Sequence, residues 1–121
     1  MNKKNFSENC NLSSYTTIKE GGVAEYFDEP RSIKEFAEEL SKADVIYVTS
    51  IYGAGEVNED KITSKVITDL IYNKNKNVNY INNYYEVTKD FYELTQKGDL
   101  ILNMGAGDCH NFWSILNEKN N

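Results

Sequence analysis

The sequence predicts one α/β domain, a parallel or mostly parallel sheet of four to five strands with helices on both faces. Three observations carry that expectation. The runs Asp44-Val45-Ile46-Tyr47-Val48-Thr49-Ser50-Ile51 and Asp99-Leu100-Ile101-Leu102-Asn103 are nearly continuous in apolar residues, as strands covered on both faces are. Each run feeds a Gly-Ala-Gly turn with an acid behind it, Tyr52-Gly53-Ala54-Gly55-Glu56 and Met104-Gly105-Ala106-Gly107-Asp108. Segments of helical and strand periodicity alternate between and around them, the order of βαβ units with right-handed crossovers.

The elements follow in chain order. Met1 to Ser14 is rich in Asn, Lys and Ser and poor in apolar anchors, so residues 1–14 are expected to form a flexible tail, with the domain running from 15 to 121. Tyr15 to Lys19 reads as a short strand ended by Glu20-Gly21-Gly22, and Val23 to Asp28 as a second, closed by Glu29-Pro30. Ser32 with Glu35 forms a capping-box pattern, and Ile33, Phe36, Ala37 and Leu40 mark one face of a helix reaching about Lys42. After the strand at Asp44–Ile51 and a polar loop, Thr63 or Ser64 caps a helix with Val66, Ile67, Leu70 and Ile71 on its apolar face. Val78 to Ile81 is a strand. A helix from about Tyr84 to Gln96 stops at Gly98. The last strand, Leu100 to Met104, leads through the second glycine turn into a helix carrying Phe112, Trp113, Ile115 and Leu116.

The formal charge is −6, and Arg31 is the one arginine. That balance argues against nucleic acid or an anionic membrane as partner, because both ask for a basic patch. No apolar stretch approaches the ~20 residues of a spanning helix, and the start lacks a signal-peptide core, which predicts a soluble cytoplasmic protein. Cys10 and Cys109 have no partners at metal-ligand spacing, so neither a disulfide scaffold nor a zinc site is indicated. Cys109 and the lone histidine, His110, follow the second glycine turn, where a helix N-terminus can lower a thiol pKa; a small residue fitting a tight turn is the simpler and favoured explanation of the cysteine.

Glycine turns at strand ends are where open α/β sheets bring backbone N–H groups to a ligand. The Gly105-Ala106-Gly107 junction is an anion-site candidate, and Asp108 works against it, being an anion already in place. Asp108 serves as a helix N-cap, holds an ammonium group, or positions a magnesium-bound water. Glu56 is either a solvated loop acid or a ligand for a cationic group, and Tyr52 either packs over a substrate or covers the sheet edge. The dinucleotide fingerprint fails because His110 stands where its third glycine or alanine belongs, and no Walker-type loop is present.

From about residue 37 the chain resembles the C-terminal domain of the Mur ligases, in particular the family that joins L-alanine to UDP-N-acetylmuramate in peptidoglycan synthesis. The resemblance runs through Phe36-Ala37-Glu38-Glu39-Leu40-Ser41-Lys42-Ala43-Asp44, Ile51 to Glu56, Ile62-Thr63-Ser64, and Lys97 to Asp108. It implies a Rossmann-like domain that closes over the active site and helps position the incoming amino acid. The substrate-binding residues it implies are Tyr52, Ala54, Gly55, Glu56, Gly105, Ala106, Gly107 and Asp108, joined by Arg31 and His110. Residues 15–36 are similar to the start of UDP-N-acetylenolpyruvoylglucosamine reductase, the FAD enzyme of the same pathway. The Gly-Ser-Asn phosphate loop that follows there is missing here, so FAD binding is not expected.

Two departures bear on function. The central ATPase domain with its Gly-Lys-Thr/Ser loop and the N-terminal UDP-sugar domain of the ligases have no counterpart, so ATP and magnesium belong to the intact family. The ligase domain opens with a strand ending in a His-Arg-Tyr-type segment; here Glu29-Pro30-Arg31-Ser32 stands instead, with Ala24–Phe27 expected to fill the vacant place in the sheet. The resulting expectation is a fragment or rearranged piece of ligase without turnover alone. The alternatives are a module binding a small amino acid or UDP-sugar derivative, of the L-alanine or UDP-N-acetylmuramate type, and a non-catalytic pairing domain. A two-fold homodimer is expected from aromatics too numerous for one small core.

Overall fold

The computed structural model describes residues 6–50, 62–105 and 107–118, the side chain of Asp90 excepted. The chain divides into two compact units, Met1–Ser32 and Ile33–Asn121. The division falls close to where the two sequence resemblances meet.

The first unit is a hairpin. Strand β1 (Ser7–Asn11) pairs antiparallel with β2 (Val23–Phe27), placing Ser7 opposite Phe27 and Asn11 opposite Val23. A strand thus stands inside the segment expected to fray. Its composition is poor for a strand, and aromatic cross-contacts hold it: Phe6 meets Tyr26 edge-on at 6.2 Å, and Tyr15 lies 4.4 Å from Phe27.

Tyr15 to Lys19, expected as a strand, belongs to the connection instead. Asn11 accepts from the Ser13 amide at 3.0 Å and starts a 3-10 turn over Leu12–Tyr15. The Thr16 hydroxyl donates to the Glu20 carbonyl at 2.7 Å, and the Leu12 amide reaches the Gly22 carbonyl at 2.9 Å to close the loop. Gly21 is obligatory here, since a Cβ would come within 2.9 Å of the Leu12 carbonyl carbon and the Ser13 nitrogen. Local side-chain bonds of Asn, Ser and Thr outcompete the β-propensity of Thr16-Thr17-Ile18.

The second unit is α/β. Helix α1 (Ile33–Leu40) precedes β3 (Ile46–Val48); α2 (Ser64–Tyr72) crosses to β4 (Val78–Tyr80); α3 (Tyr84–Leu94) and α4 (Asn111–Glu118) follow. Strands β3 and β4 run parallel, Ile46 beside Val78 and Val48 beside Tyr80, extended by the Ile46 amide to the Asn77 carbonyl and the Ile81 amide to the Val48 carbonyl, each 2.9 Å. Parallel neighbours need a crossover, and α2 supplies it. Thr63 caps it as the sequence predicts, accepting from the Val66 amide at 3.3 Å.

Alternation along β3 sorts the core into two layers. Ile46 packs with Ala37, Ile71 and Val78, and Val48, Leu40, Ile67 and Leu70 close around them. Tyr47 points the other way, into Ile81, Val87, Phe112 and Leu116. Helices therefore lie on both faces, as expected.

The sheet itself is smaller than expected. Among the described residues there are two two-stranded sheets, β1-β2 and β3-β4, and no four-to-five-strand sheet. Strand β2 pairs with β1, so Ala24–Phe27 does not fill a place beside β3 or β4. Leu100 to Met104, expected as the last strand, joins neither ladder. Leu100 is 84% exposed and Leu102 71% exposed. An apolar run becomes a strand only where a neighbour takes its N–H and C=O groups, and this one has none among the described residues.

Candidate functional site

The glycine turn of Gly105 and Gly107 is built on left-handed backbone. Gly105 has φ 150° and Gly107 φ 70°, values that disfavour any side chain. The turn leads into a 3-10 segment, Gly107–His110, and directly into α4. Three bonds fix its shape. The Asn103 side-chain amide donates to the Cys109 carbonyl at 2.7 Å, the Cys109 thiol donates to the Gly105 carbonyl at 3.0 Å, and His110 Nδ1 stands 3.0 Å from the Gly107 carbonyl. The last bond requires the tautomer with its proton on Nδ1, or the imidazolium.

Asp108 falls inside the 3-10 segment, on the exposed side, rather than immediately before α4. Its charge is felt at Tyr84, the first residue of α3. Burial pushes the Tyr84 phenol above its ordinary value; Cys109 and Asp108 add to the rise, and a hydrogen bond with Thr49 opposes it. Thr49 directly follows β3. The Tyr84 ring packs edge-on against Phe112 at 6.3 Å.

The structure thus gathers Gly105, Gly107, Asp108 and His110 into one turn. Tyr52, Ala54, Gly55, Glu56 and Ala106 lie outside the described residues. Arg31 is exposed and belongs to the first unit. Asn103, Thr49 and Tyr84 were not singled out by sequence reasoning as site residues. A polar Asn103 closing an apolar run was the available signal, because such a residue at a glycine turn has loop carbonyls within reach. Among the described residues no group of three His, Cys, Asp or Glu side chains is placed to hold a metal ion. No helix there is long and apolar enough to cross a membrane.

Chemically, the turn offers backbone N–H groups at the start of a helical segment, one exposed carboxylate and one exposed imidazole. Such a set can orient a small zwitterion or polar group. The Cys109 thiol donates to the Gly105 carbonyl within the same turn.

No protein-family model matches the chain, and no solved structure matches it significantly. Curated proteins do. It is 61% identical over 88 residues to a UDP-N-acetylmuramate--L-alanine ligase of Prochlorococcus marinus subsp. pastoris, covering 73% of this chain and 19% of that protein. It is 35% identical over 88 residues to the ligase of the same name from Caldanaerobacter subterraneus subsp. tengcongensis, with the same coverage. Against the Agathobacter rectalis ligase it is 41% identical over 76 residues, 63% of this chain and 17% of that protein. The chain spans about a fifth of the length of these relatives. Most of it is therefore homologous to one part of the UDP-N-acetylmuramate--L-alanine ligases.

Proposed function

We propose that the chain is a fragment or rearranged piece of peptidoglycan-precursor ligase that keeps part of the amino-acid side of the C-terminal domain and does not turn over alone. The carrying observation is the 61% identity over 88 residues to a protein named UDP-N-acetylmuramate--L-alanine ligase. In this reading the two glycine loops, through Tyr52, Ala54, Gly55 and Glu56 and through Gly105, Ala106, Gly107 and Asp108, face an L-alanine or UDP-N-acetylmuramate type ligand. His110 supplies a further polar contact. The given sequence carries no Gly-Lys-Thr/Ser loop to cradle the phosphates of ATP.

The test has two arms. The pure chain, given UDP-N-acetylmuramate, L-alanine, ATP and magnesium, is expected to release no phosphate above background, and amino-acid-dependent release overturns the lack of turnover. In thermal unfolding, UDP-N-acetylmuramate or L-alanine is expected to raise the midpoint while FAD does not, because a ligand of the folded state stabilises by mass action. A second reading, a non-catalytic pairing domain, is favoured by the exposed Leu100, Leu102 and Met104, and an unmoved midpoint with both ligands selects it.

A further inference from the structure

At the head of α2 a hollow of about 550 Å³ is lined by Ser50 after β3, by Ile62, Thr63, Ser64 and Thr68, by the Lys65–Asp69 ion pair, and by Tyr80 of β4. Ser64 is 5% exposed, and its hydroxyl oxygen is buried without a hydrogen-bond partner among the described residues. Buried hydroxyls are almost always bonded, so one left open beside a hollow marks a place where an acceptor belongs. The neighbouring groups are occupied: Thr63 accepts from the Val66 amide, and the Thr68 hydroxyl donates to the Ser64 carbonyl at 2.8 Å.

The donors left at this point are the Ser64 hydroxyl and the Ser64 and Lys65 amides, at the positive end of a nine-residue helix. The Lys65 ammonium is neutralised by both Asp69 carboxylate oxygens, each at 3.0 Å. Neutral donors and a partial positive charge suit a single negative charge spread over two oxygens. A phosphate dianion calls for a cation that is not already paired. Ile62 and the Tyr80 ring offer wall for a short hydrocarbon stem.

We propose that the head of α2 binds a small monocarboxylate through the Ser64 hydroxyl and the Ser64 and Lys65 amides. The site does not depend on the ligase reading, because acetate suffices as a probe. The test is an NMR titration of the full chain with acetate, L-alanine and inorganic phosphate. Saturable shifts of the Ser64 and Lys65 amides with acetate and L-alanine are expected, with phosphate binding more weakly. Ser64→Ala, which removes a hydroxyl that has no partner to lose, is expected to leave the remaining spectrum in place and weaken acetate at least fivefold. Absence of saturable shifts at those two amides, equal acetate affinity in Ser64→Ala, or tighter binding of phosphate than of acetate each overturns the proposal.

Discussion

The side-chain amide of Asn103 donates to the backbone carbonyl of Cys109 at 2.7 Å, tying the end of the Leu100–Asn103 run to the far side of the glycine turn. The two residues bracket Gly105 and Gly107, whose backbone is left-handed. Asn103→Ala is expected to loosen the turn and expose the Cys109 thiol, raising its alkylation rate severalfold in a peptide-resolved mass-spectrometric assay. An unchanged rate shows that the turn holds its shape without Asn103.

Tyr84 gives the turn a spectroscopic reporter. Its phenol is held above the usual 10.0 by burial first, then by Cys109 and Asp108. The folded protein therefore keeps a proton that the unfolded chain loses near pH 10, so this contribution to stability is complete below about pH 10 and is lost as pH rises through the raised value. In phenolate absorbance titration, the difference between wild type and Tyr84→Phe should titrate above pH 10. A difference curve centred below pH 10 refutes the placement of Tyr84 beside Cys109 and Asp108.

Ile71 is fully buried between the α1 and α2 layer and the sheet, with 0% exposure. Replacing it with Ala removes buried methylenes and leaves a cavity, a change that costs about 2–5 kcal/mol in well-packed cores. Urea unfolding followed by circular dichroism is expected to show a loss in that range. Tyr72→Ala, one position on and half exposed, should cost far less.

Self-association is the expected consequence of the unpaired apolar run. Leu100, Leu102 and Met104 are 84%, 71% and 68% exposed, and Trp113 is 42% exposed. Light scattering is expected to give about twice 13.9 kDa at micromolar concentration, and a Leu100→Lys/Leu102→Lys double variant should return it to the monomer mass. A wild-type mass that stays near 13.9 kDa as concentration rises removes the argument for a pairing face.

Asn75 links two connections that the sequence shows only as polar. Its side-chain amide donates to the Ser41 carbonyl at 3.2 Å and the Ala43 carbonyl at 2.6 Å, pinning the turn after α1 to the turn after α2. Asn75→Ala should destabilise by about 1–2 kcal/mol in the same urea experiment, given that each net hydrogen bond contributes ~0.5–1.5 kcal/mol. No measurable change would show that water replaces both bonds at no cost.

The sequence by itself determined what is local in this protein. The 3.6-residue spacing places α1, α2, α3 and α4, Thr63 caps α2 with its own hydroxyl, and the Ile46–Val48 and Val78–Tyr80 runs lie where their apolar residues predict. A helix satisfies its backbone within itself, so such patterns suffice. Strand pairing was decided only in three dimensions. Ser7–Asn11 is a strand because β2 lies beside it, whereas Leu100–Met104, far more apolar, joins no ladder among the described residues. The convergence of Thr49, Tyr84 and Cys109 and the open hydroxyl of Ser64 also arise from tertiary packing, because each depends on groups that are distant in sequence, and spacing along a chain carries no record of which distant neighbour arrives.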